Sequence, residues 1–425
     1  MKHHVIVIGA GVAGLTATKY LSEAGYDVCL LEAAEIAGGR IATIDEEGFS
    51  GLVETGAEFI HGKLPLTFKL LKEAGISYET VEGDMIGVQG GVWQNEEHDE
   101  NWYKFMEKLN QLKTDVTILE FLNTHFCEPQ YIHLRQGVQR FAEGFDLADI
   151  SKASILSVKN EWKNIDKKQF RIRGGYSQLV NYLLNCCRSQ NVAISFNSCV
   201  NKIKHDSEGV TVYTIDNKEF TADKLIITVS VGVLQSGTIH YEPALTDHAV
   251  AIQSLGFGPV IKFLLEFKTS FWDEFDDEIG FILTDEQVPT WWTQLPAESN
   301  LLTGWLGGAK AAERIFNDDE ALLQAALQSL SSIFRMPQAM LREELTHHKI
   351  INWQTVPHVK GGYSYCTLGT EQAIRVLSSP IDGTTFFAGE AIAKGDSQGT
   401  VESALQSGYD TARKLIRDYQ PQKQL

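Results

Sequence analysis

His4-Val5-Ile6-Val7-Ile8-Gly9-Ala10-Gly11-Val12-Ala13-Gly14 is the stretch whose reading decides the fold. The apolar run behind His4 has the length of a buried strand, and the glycines follow it at G-x-G-x-x-G spacing. Leu15 to Ala24 is small and apolar on one side and reads as a helix ending at Gly25. Val28-Cys29-Leu30-Leu31 then supplies a second buried strand, closed by Glu32 and followed by Ala33. Gly9 permits the tight turn, Gly11 lets a pyrophosphate approach the backbone, and Gly14 lets helix and strand pack closely. The N–H groups of Val12 and Ala13 open the helix and attract phosphate, while Glu32 suits a ribose diol. Strand, glycines, helix, strand and acid in that order predict a dinucleotide-binding α/β unit. A glycine turn that binds nothing is the bland alternative, and the unit alone does not choose between NAD and FAD.

The next segments narrow that choice. Gly38-Gly39-Arg40 adds a second glycine pair and an arginine suited to bidentate phosphate contact. A nicotinamide dehydrogenase has no use for it. Leu52-Val53-Glu54-Thr55-Gly56-Ala57-Glu58-Phe59-Ile60-His61-Gly62 follows. Together these segments resemble the opening of the flavin-containing amine oxidases, a family that includes polyamine oxidases, monoamine oxidases and lysine-specific histone demethylases. The resemblance implies FAD and an α/β fold. A Rossmann-like, glutathione-reductase-like FAD domain would be built from 1–64, 169–240 and 351–425. An α+β substrate domain would be built from 65–168 and 241–350, both domains being discontinuous.

Composition bounds the partners. The chain has 425 residues, 43% hydrophobic content and a net charge of −18, which fits a two-domain globular protein and argues against nucleic acid. The six cysteines, Cys29, Cys127, Cys186, Cys187, Cys199 and Cys366, show no C-x-x-C and read as reduced thiols, with no metal site expected. No signal peptide and no membrane span is legible, so the expectation is a cytoplasmic protein, monomer or homodimer. Glu96 to Glu100 reads as a solvated loop or helix start and the tail from Gln420 as frayed.

Apolar spacing marks helices at Leu66–Glu73, Trp102–Thr117, Ser177–Ser189 and Glu320–Phe334, and 65–168 is expected to be the helical part of the substrate domain. Ala193–Phe196, Val200–Ile203, Val210–Ile215 and Lys224–Val229 read as strands. The resemblance sets the backbone of Val200 against the adenine and Thr228 near the pyrophosphate. Val260-Ile261-Lys262-Phe263-Leu264-Leu265-Glu266-Phe267 carries a lysine in an apolar run. By pattern that lysine belongs on an edge strand facing water. By resemblance it is the family lysine that holds a water against flavin N5. Trp305 is similar to a tryptophan near the substrate cavity, whereas Trp291 and Trp292 receive no role.

Trp353, Pro357 and Lys360-Gly361-Gly362-Tyr363-Ser364-Tyr365 look like the family's W-x-x-x-P…G-S-Y-S stretch. Some members carry a cysteine where Tyr363 stands and bind FAD covalently. Tyr363 there, with Cys366 displaced by three, implies non-covalent FAD. Tyr363 and Trp353 are expected to form an aromatic wall that attracts a cationic amine. Phe386-Phe387-Ala388-Gly389-Glu390 ends a buried strand, with Gly389 and Glu390 on the cofactor side, and Thr400 caps a helix opening at Val401. That helix N-terminus would favour negative charge on reduced flavin. Glu58 and His61 are expected to meet the substrate, a carboxylate and an imidazole for a distal ammonium and a proton.

The reading is an FAD-dependent oxidase of a small cationic amine, most similar to the polyamine oxidases. A hydride passes to flavin N5, the imine is hydrolysed to an aldehyde, and O2 is reduced to hydrogen peroxide. The alternatives are a flavin oxidoreductase on a non-amine substrate, similar to protoporphyrinogen oxidases or carotenoid desaturases, and a non-catalytic flavoprotein. A histone-lysine demethylase is a weaker expectation, because the long helical insertion and added domain are not seen in the sequence.

Overall fold

The structure is a computed structural model that describes residues 4–95, 101–162, 168–395 and 398–419. The polar run 96–100 and the tail 420–425 lie outside them.

Ala193–Ser195, Asp27–Leu31, His4–Ile8, Lys224–Ile227 and Thr385–Phe387 lie side by side in one sheet, every pair parallel. Strand side chains alternate, so one set must leave by each face. Val5, Val7, Val28, Leu30, Ile226 and Phe386 meet residues of the helices Val12–Glu23, Ser177–Ser189 and Val401–Asp418. Ile6, Ile8, Cys29, Leu31, Leu225, Ile227 and Phe387 go the other way. There they meet a four-stranded sheet ordered Glu219–Ala222, Val210–Thr214, Val200–His205, His240–Glu242. Cover on both faces is why these strands are continuously apolar rather than alternating. Leu15, Leu30 and Leu405 are fully buried, and each such side chain contributes roughly 2 kcal/mol.

The opening turn explains two of its glycines directly. Gly9 has φ +103°, where side chains are strained. A Cβ on Gly14 would stand 1.9 Å from the carbonyl oxygen of Gly9, so only glycine lets this helix start so close to its strand.

A second sheet has seven strands, ordered Leu345–Asn352, Val260–Phe267, Leu301–Gly307, Thr290–Trp292, Ile279–Thr284, Asp84–Gln89 and Val92–Asn95. Ile261, Phe263, Leu265 and Trp291 face the helix Asp319–Phe334 through Leu322, Leu323, Leu327 and Leu330. Lys262, Phe281, Leu283, Trp292 and Trp305 instead line a cavity. Lys262 is therefore not on an edge strand. It lies opposite Trp305 on one side and Ile351 on the other, and it is fully buried.

The segment 65–168 is not only helical. Tyr78–Thr80, Asp84–Gln89 and Val92–Asn95 are strands, and the last two complete the seven-stranded sheet. The state of Asp84–Gln89 is decided by a partner about two hundred residues away, since it pairs in parallel with Ile279–Thr284. The expected helix from Trp102 to Thr117 stops at Gln111. Thr117 caps a new helix, Ile118–His125, by accepting from Glu120 N at 3.1 Å, as T-x-x-E predicts. Pro65–Ala74 packs Leu66, Leu70 and Leu71 into the core of the parallel sheet. Glu402 ties it there by accepting from Leu66 N at 2.9 Å and Thr67 N at 2.7 Å. Among the described residues no helix is long and apolar enough to cross a membrane.

Candidate active site

One cavity of about 1940 Å³ is lined by residues of both large sheets. It is lined by every candidate catalytic or cofactor-binding residue named from the sequence except Gly14, which packs behind the turn.

At its nucleotide end lie Gly9, Gly11, Val12, Ala13, Glu32, Ala33, Gly39, Arg40, Val200 and Thr228, with Gly389, Glu390, Thr400 and Val401 also on the wall. The helix Val12–Glu23 begins at Gly11 with no side-chain cap, so its first N–H groups remain for an anion. Glu32 is fixed by backbone donors, Ala10 N at 2.5 Å and Ala34 N at 2.8 Å. Thr228 Oγ1 donates to the carbonyl of Ile8 at 2.8 Å. Arg40 Nη1 donates to the carbonyl of Gly362 and to Glu390 Oε1, each at 2.8 Å. Glu390 also accepts from Ser364 N at 3.2 Å and from the Ser364 hydroxyl. Thr400 caps Val401–Asp418 as expected, accepting from Ser403 N at 3.2 Å. An uncapped turn for phosphate, an anchored acid for a ribose and a fixed arginine fit a dinucleotide. The volume also exceeds the roughly 300–1,000 Å³ of ordinary small-molecule pockets.

The other end is built around a buried charge cluster. Lys262 Nζ donates to Glu58 Oε2 at 2.8 Å and to the carbonyl of Gly56 at 3.2 Å. Glu58 Oε1 accepts from Arg171 Nε at 3.1 Å and Trp292 Nε1 at 3.0 Å. Arg171 is completed by the carbonyls of Leu295 and Thr293, each at 2.9 Å. Burial pushes the Glu58 carboxyl up, but the Lys262 and Arg171 charges outweigh it and hold it below the usual carboxylate range. The sequence reading offered Glu58 to a substrate ammonium; here both its oxygens are engaged by the protein. Glu54 lies behind the cluster and accepts from Tyr176 N at 2.6 Å and Thr43 Oγ1 at 2.9 Å. Burial raises its carboxyl to about 7.

His61 faces the cavity between the rings of Phe59 and Phe145, at centroid distances of 6.0 and 5.6 Å. Burial lowers its pKa to about 4, which leaves the imidazole neutral at pH 7. Tyr363, Trp353 and Trp305 all line the cavity and pack together. Tyr363 stacks with Trp305 at 6.4 Å and 21°, and its hydroxyl donates to the carbonyl of Phe145. Trp353 is buried beside them, with Nε1 on the carbonyl of Thr55 at 3.1 Å. Trp305 Nε1 is held by the carbonyl of Gly144 at 2.9 Å.

Sequence reasoning missed Arg171, Trp292 and the helix Ile132–Gly144. Trp292 was legible in part, since neighbours in a strand face opposite ways and Trp291 fills the core. Arg171 carried the same signal as Lys262, a charge between apolar residues of a strand, Gln169–Ile172. Phe59, Gly56 and Ala57 line the cavity beside Glu58. Among the described residues no group of three or more His, Cys, Asp or Glu side chains is placed to hold a metal ion.

Known proteins are similar to this chain over nearly its whole length. Polyamine oxidase 4 of Oryza sativa subsp. japonica is 26% identical over 97% of this chain and 89% of its own length. Lysine-specific histone demethylase 1B of Mus musculus is 26% identical over 97% of this chain but only 52% of its own length. The chain thus spans about half of that relative. A solved structure of wild-type putrescine oxidase bound to putrescine superposes with a TM-score of 0.81 at 21% identity, covering 98% of this chain and 99% of that one. Cyclohexylamine oxidase from Brevibacterium oxydans gives 0.80 at 21% identity and the same coverage. These structural matches bear on the fold. A family model described as flavin containing amine oxidoreductase matches residues 12–416, and the chain belongs to that family.

Proposed function

We propose that the chain is an FAD-dependent amine oxidase acting on a small primary or secondary amine, with di- and polyamines in view from the polyamine oxidase relatives. The observation that carries the reading is Lys262, a fully buried lysine presented to the cavity wall beside the Trp305–Tyr363 pair.

The cofactor is held by the uncapped turn at Gly11, by Glu32, and by Arg40 braced on Glu390. Val200, Thr228, Gly389 and the helix opening at Thr400 and Val401 complete its wall. Non-covalent attachment is supported by Tyr363 at the tether position and by Cys366, whose thiol contacts Gln398. Bound FAD supplies the two-electron acceptor for the hydride of the amine α-carbon, and dioxygen then takes the electrons as hydrogen peroxide. Trp305 and Tyr363 attract the ammonium and orient it as it loses its proton. His61, kept neutral among Phe59 and Phe145, is the group able to accept that proton. Glu58 and the Gly56 carbonyl fix Lys262, so its ammonium orients water at one place on the wall for reoxidation or imine hydrolysis. Glu58 thereby positions Lys262 and does not hold substrate.

The two-domain division of 1–64, 169–240 and 351–425 from 65–168 and 241–350 is part of this proposal. The strands Asp84–Gln89 and Val92–Asn95 support it by joining those of 260–307.

Anaerobic addition of mono-, di- and polyamines to the holoprotein tests the reading. Bleaching of the flavin by an amine, and peroxide release in air, are the expected results. A yellow protein that no amine reduces would overturn it in favour of a non-catalytic flavoprotein.

A further inference from the structure

The cavity carries a guanidinium at its amine end that the reaction above does not use. The helix Ile132–Gly144 turns His133, Gly137, Arg140, Phe141 and Gly144 to the cavity, at the three- and four-residue spacing of one face. Leu134 and Val138 also reach the cavity lining while packing with Ala142 in the helical core. Gly144 anchors Trp305 through its carbonyl. Arg140 stands one turn back, about 6 Å along the helix axis. It is half-buried, and among the described residues it makes no ion pair or hydrogen bond.

Its neighbours do not share that condition. Lys262 and Arg171 are paired with Glu58, and Arg40 with Glu390. Asp146, the other carboxylate at this end, already has a partner. His61 is neutral at pH 7. Met85, Gly87, Phe281, Leu283 and Thr290, from the seven-stranded sheet, add no charge to the lining. Lys360 also lines the cavity, with its backbone carbonyl packed against Gly232. A second ammonium on the substrate would find no free carboxylate here and would meet an unneutralised guanidinium. An anionic tail would find a planar pair of donors in a wall otherwise largely apolar.

Resting on the amine-oxidase reading, but in place of the di- and polyamines that the relatives bring into view, we propose that this end of the cavity selects amines that carry an anionic group of the carboxylate type at the end away from the reacting nitrogen, and that Arg140 receives it.

Two measurements on the holoprotein test this. The first compares kcat/KM for ε-aminocaproate, hexylamine and hexamethylenediamine, which share one chain length. ε-Aminocaproate is expected to exceed the diamine by about tenfold or more, with that ratio cut about tenfold in Arg140→Met and partly kept in Arg140→Lys. A preference for the diamine, or a ratio untouched by Arg140→Met, would overturn the proposal. The second is calorimetric titration with caproate, which cannot be oxidised at nitrogen and so reports binding without turnover. Its affinity is expected to fall about tenfold in Arg140→Met. Equal affinity in both proteins, or no binding to the unaltered one, would overturn the proposal even where no amine is oxidised. If no amine reduces the flavin while caproate binding depends on Arg140, the oxidase reading fails and the anion site stands.

Discussion

Lys262 Nζ lies 2.8 Å from Glu58 Oε2, and Arg171 holds the opposite oxygen of the same carboxylate. One acid therefore neutralises two buried cations, which makes the consequences of mutation asymmetric. Lys262→Met leaves Glu58 paired with Arg171. It is expected to fold, retain FAD and lose most turnover. Glu58→Gln leaves two buried cations near one another and is expected to cost roughly 3–5 kcal/mol of stability. Thermal unfolding of both variants checks the order. A Lys262→Met protein less stable than Glu58→Gln, or one with unchanged oxidase kinetics, would contradict it.

His61 is expected to stay neutral through the physiological range. Its pKa is lowered to about 4, so its contribution to stability is full above pH 6.5 and is lost as pH falls through about 4. An imidazole NMR signal absent from His61→Gln should titrate near that value. A signal moving between pH 6 and 7 would remove the neutral-base role.

Glu54 predicts the opposite slope. Burial raises its carboxyl to about 7 against an ordinary value of 4.5. A raised folded pKa gives stability that is full below pH 4.5 and lost as pH rises through 7, by up to ~3 kcal/mol. Glu54→Gln should flatten that part of the curve, so its melting temperature relative to the unaltered protein should climb between pH 5 and pH 8. A difference independent of pH would show Glu54 to be ionised throughout.

Arg40 joins two segments of the cofactor wall, the Gly362 carbonyl and Glu390. Arg40→Met removes a charge-assisted contact and leaves Glu390 buried without its cation. The variant is expected to lose flavin on dialysis at least about tenfold faster. The ratio of flavin to protein absorbance follows the loss, and equal retention would place the cofactor's phosphates elsewhere.

The sequence showed the nucleotide end almost completely, because that end is made of local signals. Gly9 to Gly14 and the cap at Thr400 act close to their own position, and Glu32 reaches Ala10 from the very next strand of the same unit. The amine end was legible only in pieces. Lys262 was visible as a charge in an apolar run, but its partners come from Glu58, Arg171 and Trp292, brought together by strand pairing across the whole chain. The Tyr363–Trp305 stack was missed for the same reason, since neither residue's neighbours point to the other. Asp84–Gln89 shows the limit most plainly. It was read as part of a helical segment, and its partner strand lies at Ile279–Thr284.

The order of strands in the parallel sheet has a consequence for biosynthesis. Its members come from residues 4–8, 27–31, 193–195, 224–227 and 385–387, and the last of them forms one edge. A ribosome delivers that edge long after the first hairpin-sized pieces have emerged. Until then Lys224–Ile227 presents unpaired backbone N–H and C=O groups along one side, a template for pairing with other nascent chains. Contacts this distant in sequence also close slowly. Folding of this sheet is therefore expected to complete only once Thr385–Phe387 has been made, with the waiting strand exposed until then.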